Sequence, residues 1–132
     1  WGEFDEQIHL MLDYLDAVPD EVPLRDALAD ALVEFNTFPD SQTDVHRTRM
    51  RLLLEVDELQ AHSTLVYADW RRAVAGFVAH RRGESVDDLT PASTAHAALG
   101  IALSAYRLWV HDPDADQSRL HELLREGTQI LA

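Results

Sequence analysis

Residues Val45–Gly83 read VHRTRMRLLLEVDELQAHSTLVYADWRRAVAGFVAHRRG, and two helices are written into that one stretch. The second sets the frame. Asp57 and Glu58 place acid in a first turn, Arg81 and Arg82 place base in a last turn, and Gly83 follows as a helix-closing residue. Between these ends Leu59, Val66, Trp70, Ala73 and Phe77 recur at helical spacing, with His62 on the same face. The pattern predicts a long helix over 57–82. Ahead of it, Ser41-Gln42-Thr43-Asp44 resembles a capping box with a carboxylate as its third partner, and predicts a short helix to about Leu54 with Met50 turned inward.

The same periodicity continues on both sides. Phe4, Ile8, Met11, Leu15 and Val18 form one apolar stripe, ended at Val18-Pro19 because a residue before proline disfavours the helical region. Pro23 suits the first turn of a second helix, whose inner face carries Leu24, Leu28, Ala31, Phe35 and Phe38. Thr90-Pro91 opens a fifth helix as cap and first residue. From Ala95 to Val110 that helix is apolar almost all round, so it needs cover on two sides. Asp112-Pro113-Asp114 stops it, and Leu120, Leu123, Leu124, Gly127 and Ile130 mark a sixth. No strand-like alternation is found. The expected fold is all-α, with about six helices.

A chain of 132 residues, 46% hydrophobic and 27% charged, is long enough for one domain with its own core. Its charge is lopsided, with 24 acidic against 11 basic residues and a net of -13; every one of those bases is arginine. Such a chain repels phosphate backbones and anionic membranes at long range. Residues 1–44 hold 12 acids against Arg25 alone, whereas residues 45–82 hold 7 arginines against 4 acids. Cysteine is absent, which removes disulfides and thiolate chemistry. With no membrane-length apolar run and no secretory signal, a cytoplasmic location is expected.

Chemical motifs are few. Glu6-Gln7-Ile8-His9 has the Glu-x-x-His spacing of carboxylate-bridged metal bundles, but no second copy exists, so no metal site is expected. A helical-bundle metalloenzyme using Glu6, His9 and other carboxylates is one alternative reading, and a ligand-free structural dimerisation domain with a solid core is another. Ser63 beside His62 is no nucleophile–base pair, since adjacent helix residues diverge. Phosphate-binding and hydrolase motifs are missing, so neither an enzyme nor a cofactor is expected. Inward aromatic and sulfur-bearing residues suit either core filling or a pocket: Tyr14, Phe35, Phe38, Met50, Trp70 and Phe77, with Leu54 and Val66 beside them. His62 and His96 would then be polar groups on that pocket's wall. The arginine block (Arg47, Arg49, Arg51, Arg71, Arg72) suits salt bridges to the acidic first third, or, at Arg47, Arg51 and Arg71, an anionic ligand group.

On "VEFNTF" (Val33–Phe38), "HRTRM" (His46–Met50), "LQAHSTLVYADWR" (Leu59–Arg71) and the order of the helices, the chain resembles the C-terminal regulatory domain of TetR-family transcriptional regulators. Within that family it is most similar to the actinobacterial regulators of mycofactocin biosynthesis. Asp57 stands where many members have proline, a harmless first-turn change. The resemblance implies an effector-binding and dimerisation domain over 1–132, and a hydrophobic effector, of fatty acyl-CoA type, held among the first five helices. It further implies a homodimer through the last two helices, and operator DNA bound by a repressor's helix-turn-helix domain that this chain lacks. The apolar fifth and sixth helices agree with such an interface at Ala98, Ala102, Ala105, Trp109, Leu120, Leu123 and Leu124. Trp1 is not an initiator methionine, as expected of part of a longer chain.

Overall fold

A computed structural model describes residues 2–131; Trp1 and Ala132, the ends of the expected domain, lie outside the described residues. These form six α-helices and no strand: α1 (Gly2–Ala17), α2 (Leu24–Phe35), α3 (Thr43–Glu55), α4 (Asp57–Arg82), α5 (Leu89–Val110) and α6 (Gln117–Thr128), with a 3-10 turn at Asp40–Gln42. The all-α expectation holds.

The long pair α4 and α5 makes the spine. Gly83 ends α4 in the left-handed conformation (φ 66°), and the Glu84 amide reaches back 2.9 Å to the Ala79 carbonyl, closing the helix as the basic last turn and glycine predict. Helix α6 packs on α5 and α2, α1 on α2 and α4, and α3 on α4 and α5. Ile8, Met11 and Leu15 of the predicted α1 stripe are buried, as are Leu28 and Ala31 of α2. Trp109 is fully buried where α5 meets α6, and its indole N–H is satisfied by the Asp116 carbonyl at 2.8 Å.

Helix starts depart from the sequence expectations. Ser41 lies in the 3-10 turn rather than at a cap; Gln42 precedes α3 without a side-chain bond, and the Thr43 hydroxyl donates to the Asp40 carbonyl instead. Pro23 precedes α2, its carbonyl accepting the Ala27 amide at 3.0 Å. Asp88, not Thr90, stands at the start of α5. Asp116 is a true cap, its carboxylate accepting the Arg119 amide at 3.1 Å.

The expected dimer residues turn inward in the single chain. Ala98, Ala102, Ala105, Trp109, Leu120, Leu123 and Leu124 are all buried inside the single chain. Apolar periodicity marks which face is covered but not by what, and here α5 and α6 cover each other. The outward face of α5 carries His96, Gly100, Ser104, Arg107 and Leu108, the last 65% exposed.

Candidate functional site: an aromatic cavity

The second covered side of α5 faces a cavity. About 1180 Å³ of space lies between α5, α3, α4, the end of α2 and the start of α1. That is at or above the roughly 300–1,000 Å³ of common small-molecule sites. Phe35, Phe38, Met50 and Trp70 line it, as the sequence predicts. The wall is held by edge-on ring contacts, Phe4 to Phe35 at 5.6 Å and Phe35 to Trp70 at 6.2 Å between centroids. Leu99, Leu103 and Tyr106 complete the α5 side together with Ala102, one of the residues expected at a dimer interface. The spacing of Leu99, Leu103 and Tyr106, four and three, is the legible signal of this wall.

The other expected pocket residues lie elsewhere. Leu54 is core. Tyr14, half-buried on α1, faces Asp30 and Glu34; burial first and these carboxylates second raise its phenol pKa. Val66 is half-buried on α4 but outside the lining. His62 and His96 are exposed, each lying one residue, and so more than a quarter of a turn, away from a buried neighbour, Ser63 and Ala95. Phe77 lines a separate groove of about 890 Å³ between α1 and α4, with Arg81 stacked 5.0 Å from its ring centroid. That groove carries both signs of charge, Asp5, Asp16, Asp20 and Asp69 beside Arg72 and Arg81. Glu6 and His9 are exposed on α1, and no group of three His, Asp or Glu among the described residues is placed to hold a metal ion.

Three polar residues missed from sequence form a directed chain in the cavity wall. Asn36 Nδ2 donates to the Leu32 carbonyl at 2.8 Å, leaving Oδ1 to accept the Tyr106 hydroxyl at 2.8 Å, and that hydroxyl lies 2.8 Å from His46 Nε2. Burial, then the charge of Arg49, lowers the His46 pKa to about 4, so the ring is neutral at physiological pH. Burial likewise pushes Tyr106 far up, and it stays a hydroxyl. The loop following α2 is fastened from the other side: Gln117 of α6 brackets Phe38, accepting its amide at 2.7 Å and donating to its carbonyl at 2.8 Å. His121 Nε2 lies 3.2 Å from the Asn36 carbonyl.

The arginines divide differently from expectation. Arg47 donates to the Pro113 and Ala115 carbonyls and Arg51 to the Val110 carbonyl at 2.7 Å, so both tie down the end of α5. Arg81 does the same for Pro19 and Val22 after α1. Among the described residues, no arginine of the block at 47–72 forms an ion pair with the acidic first third; the pair that reaches it is Arg125–Asp30, at 2.9 Å. Val110 ends α5, where a carbonyl has no intrahelical partner, and the other accepting carbonyls lie in the loops after α1 and α5. Arg71 is half-buried outside the cavity. Arg49 alone of the block stands in the cavity lining, exposed at its rim between Val45 and Leu52.

Among the described residues no helix is long and apolar enough to cross a membrane. Residues 22–132 match the family described as the MftR C-terminal domain. A Mycobacterium tuberculosis protein, named for transcriptional regulation of mycofactocin biosynthesis (MftR), is 46% identical over 112 residues, covering 85% of this chain. The match takes in 57% of that relative's own length. Both are transcriptional regulators rather than enzymes, and the chain belongs to the TetR-type MftR C-terminal domain family.

Proposed function

We propose that this chain is the effector-sensing and dimerising part of a transcriptional repressor, with operator DNA bound by a separate N-terminal domain. The carrying observation is the aromatic cavity with a cation, Arg49, at its rim. A ligand with a long apolar body and an anionic end fits that arrangement, and a fatty acyl-CoA has both. The aromatic and aliphatic walls take the acyl chain; Arg49 receives a phosphate. Arg47 and Arg51 are occupied by carbonyls and are not assigned that role. The outward face of α5, with Gly100, Ser104 and Leu108 in one stripe, supports a second copy as partner.

Titrating palmitoyl-CoA and palmitate while following Trp70 fluorescence tests the effector reading. Saturable quenching by both, with the CoA ester tighter, is the expected result. Equal affinity removes the phosphate role, and no binding of either removes the lipid reading altogether.

A further inference from the structure

We infer that His46, fixed as the Nε2–H tautomer by Tyr106 and Asn36, makes the cavity select ligands that bring a hydrogen-bond donor, an alcohol or an N–H group. The inference rests on the cavity being the effector site and goes beyond it by naming the chemistry of one contact.

The tautomer follows from counting protons along the chain. Asn36 Nδ2 is committed to the Leu32 carbonyl, so Oδ1 faces Tyr106 and can only accept. The Tyr106 hydroxyl has one hydrogen and gives it to that oxygen. Towards His46 Nε2, 2.8 Å away, it can therefore only accept, and Nε2 must carry the proton. A neutral ring with hydrogen on Nε2 has a lone pair on Nδ1. Among the described residues Nδ1 has no hydrogen-bond partner, yet it is not sealed off from solvent, and the ring that carries it lines the cavity. The ring cannot easily turn away: Phe38 lies 4.5 Å from it between centroids, Tyr106 5.5 Å and Trp109 6.2 Å. Burial and Arg49 oppose protonation, so the lone pair persists at neutral pH.

A ligand filling this apolar space displaces whatever water Nδ1 would otherwise use. A hydroxyl or N–H replaces that bond. An ether, ester or carboxylate oxygen sets lone pair against lone pair, and an acceptor that the ligand has cut off from water is left unsatisfied. Arg49 is three residues from His46 on α3, close enough for one amphiphile head to meet both.

Decan-1-ol and its isomer methyl nonyl ether separate the cases, because they share every atom and differ in the donor. Dissociation constants for the full chain are read from Trp70 fluorescence or calorimetry. The alcohol is expected to bind about five- to tenfold tighter than the ether, the worth of one buried hydrogen bond. In His46→Phe that ratio falls to about one, with circular dichroism reporting the fold. A readout independent of any variant comes from 15N-histidine spectra of the unsubstituted chain. His46 should show a pyridine-like Nδ1 and a pyrrole-like Nε2, and Nδ1 should shift with the alcohol but not the ether. Equal binding of both isomers, a preference that survives His46→Phe, or a proton found on Nδ1 overturns the inference and leaves the cavity standing as the site. Binding of neither isomer overturns both.

Discussion

The guanidinium of Arg47 lies over the buried indole of Trp109, 4.6 Å from the ring centroid, while its nitrogens hold the Pro113 and Ala115 carbonyls. One side chain of α3 thus fastens the loop between α5 and α6 onto the core. Arg47→Met keeps the apolar stem and loses the charged donors, and is expected to cost about 2 kcal/mol of stability in urea denaturation. Arg47→Lys should recover little of it, since an ammonium cannot span two carbonyls as a planar fork does.

Two glycines with opposite surroundings make a paired test. A Cβ at Gly127 would come within 2.5 Å of Ile101 Cγ2, an atom attached to the branch point of a side chain that cannot swing clear. Gly127→Ala should destabilise by roughly 1–3 kcal/mol as overpacking where α6 crosses α5. Within the single chain Gly100 has nothing within 4 Å of the same atom, and in a Leu108→Glu background, where no second copy covers that face, Gly100→Ala should stabilise by about 0.5–1 kcal/mol through helix propensity. Thermal unfolding of the two variants at one protein concentration should move in opposite directions.

His46 ties stability to pH. Its pKa falls from 6.5 to about 4 on folding, so between those values the unfolded chain binds the proton and the folded chain does not. Stability from this group is therefore complete above about pH 6.5 and is lost as pH falls towards 4, by roughly 3 kcal/mol in all. Denaturation midpoints from pH 7 to pH 4.5 should fall more steeply in the unsubstituted chain than in His46→Gln, which has no ring to protonate.

The proposed partner surface centres on Leu108, exposed at 65% and remote from the core. Leu108→Glu places carboxylates from two copies in one interface. Light scattering should change from twice 14.9 kDa to a single 14.9 kDa, with helix content retained. A mass unaffected by the substitution would remove this face from the interface.

Arg49 and Arg51 are neighbours in sequence with different duties. Arg49→Gln should weaken palmitoyl-CoA binding about tenfold while leaving unfolding unchanged, because its side chain stands at the rim. Arg51→Gln should do the reverse, lowering stability through the Val110 carbonyl with the affinity intact. A common loss of affinity in both variants would point to packing rather than charge.

The helices were legible because each is punctuated by its own residues. Gly83, Pro19 and Asp112-Pro113 stop chains by local sterics that need no partner, and the 57–82 boundaries follow from such signals. Four cavity residues were legible too, since Phe35, Phe38, Met50 and Trp70 sit on strongly apolar faces. His46, Asn36 and Tyr106 were not. Each looks like an ordinary polar or core residue until bonds 60 and 70 positions apart in sequence bring them together.

Local chemistry, then, determined the number of helices, their limits, the inward faces and the acidic exterior, and the motifs at Val33–Phe38 and Leu59–Arg71 carried the family. Tertiary structure alone decided what each inward face meets. It turned Ala98, Trp109 and Leu124 to the protomer's own core, Leu99 and Leu103 to a cavity, and Arg47 and Arg51 to carbonyls rather than carboxylates. The reason is physical. Burial periodicity depends on a residue's angle around its own helix axis, whereas the identity of a neighbour depends on how separate axes cross, and no local interaction encodes that.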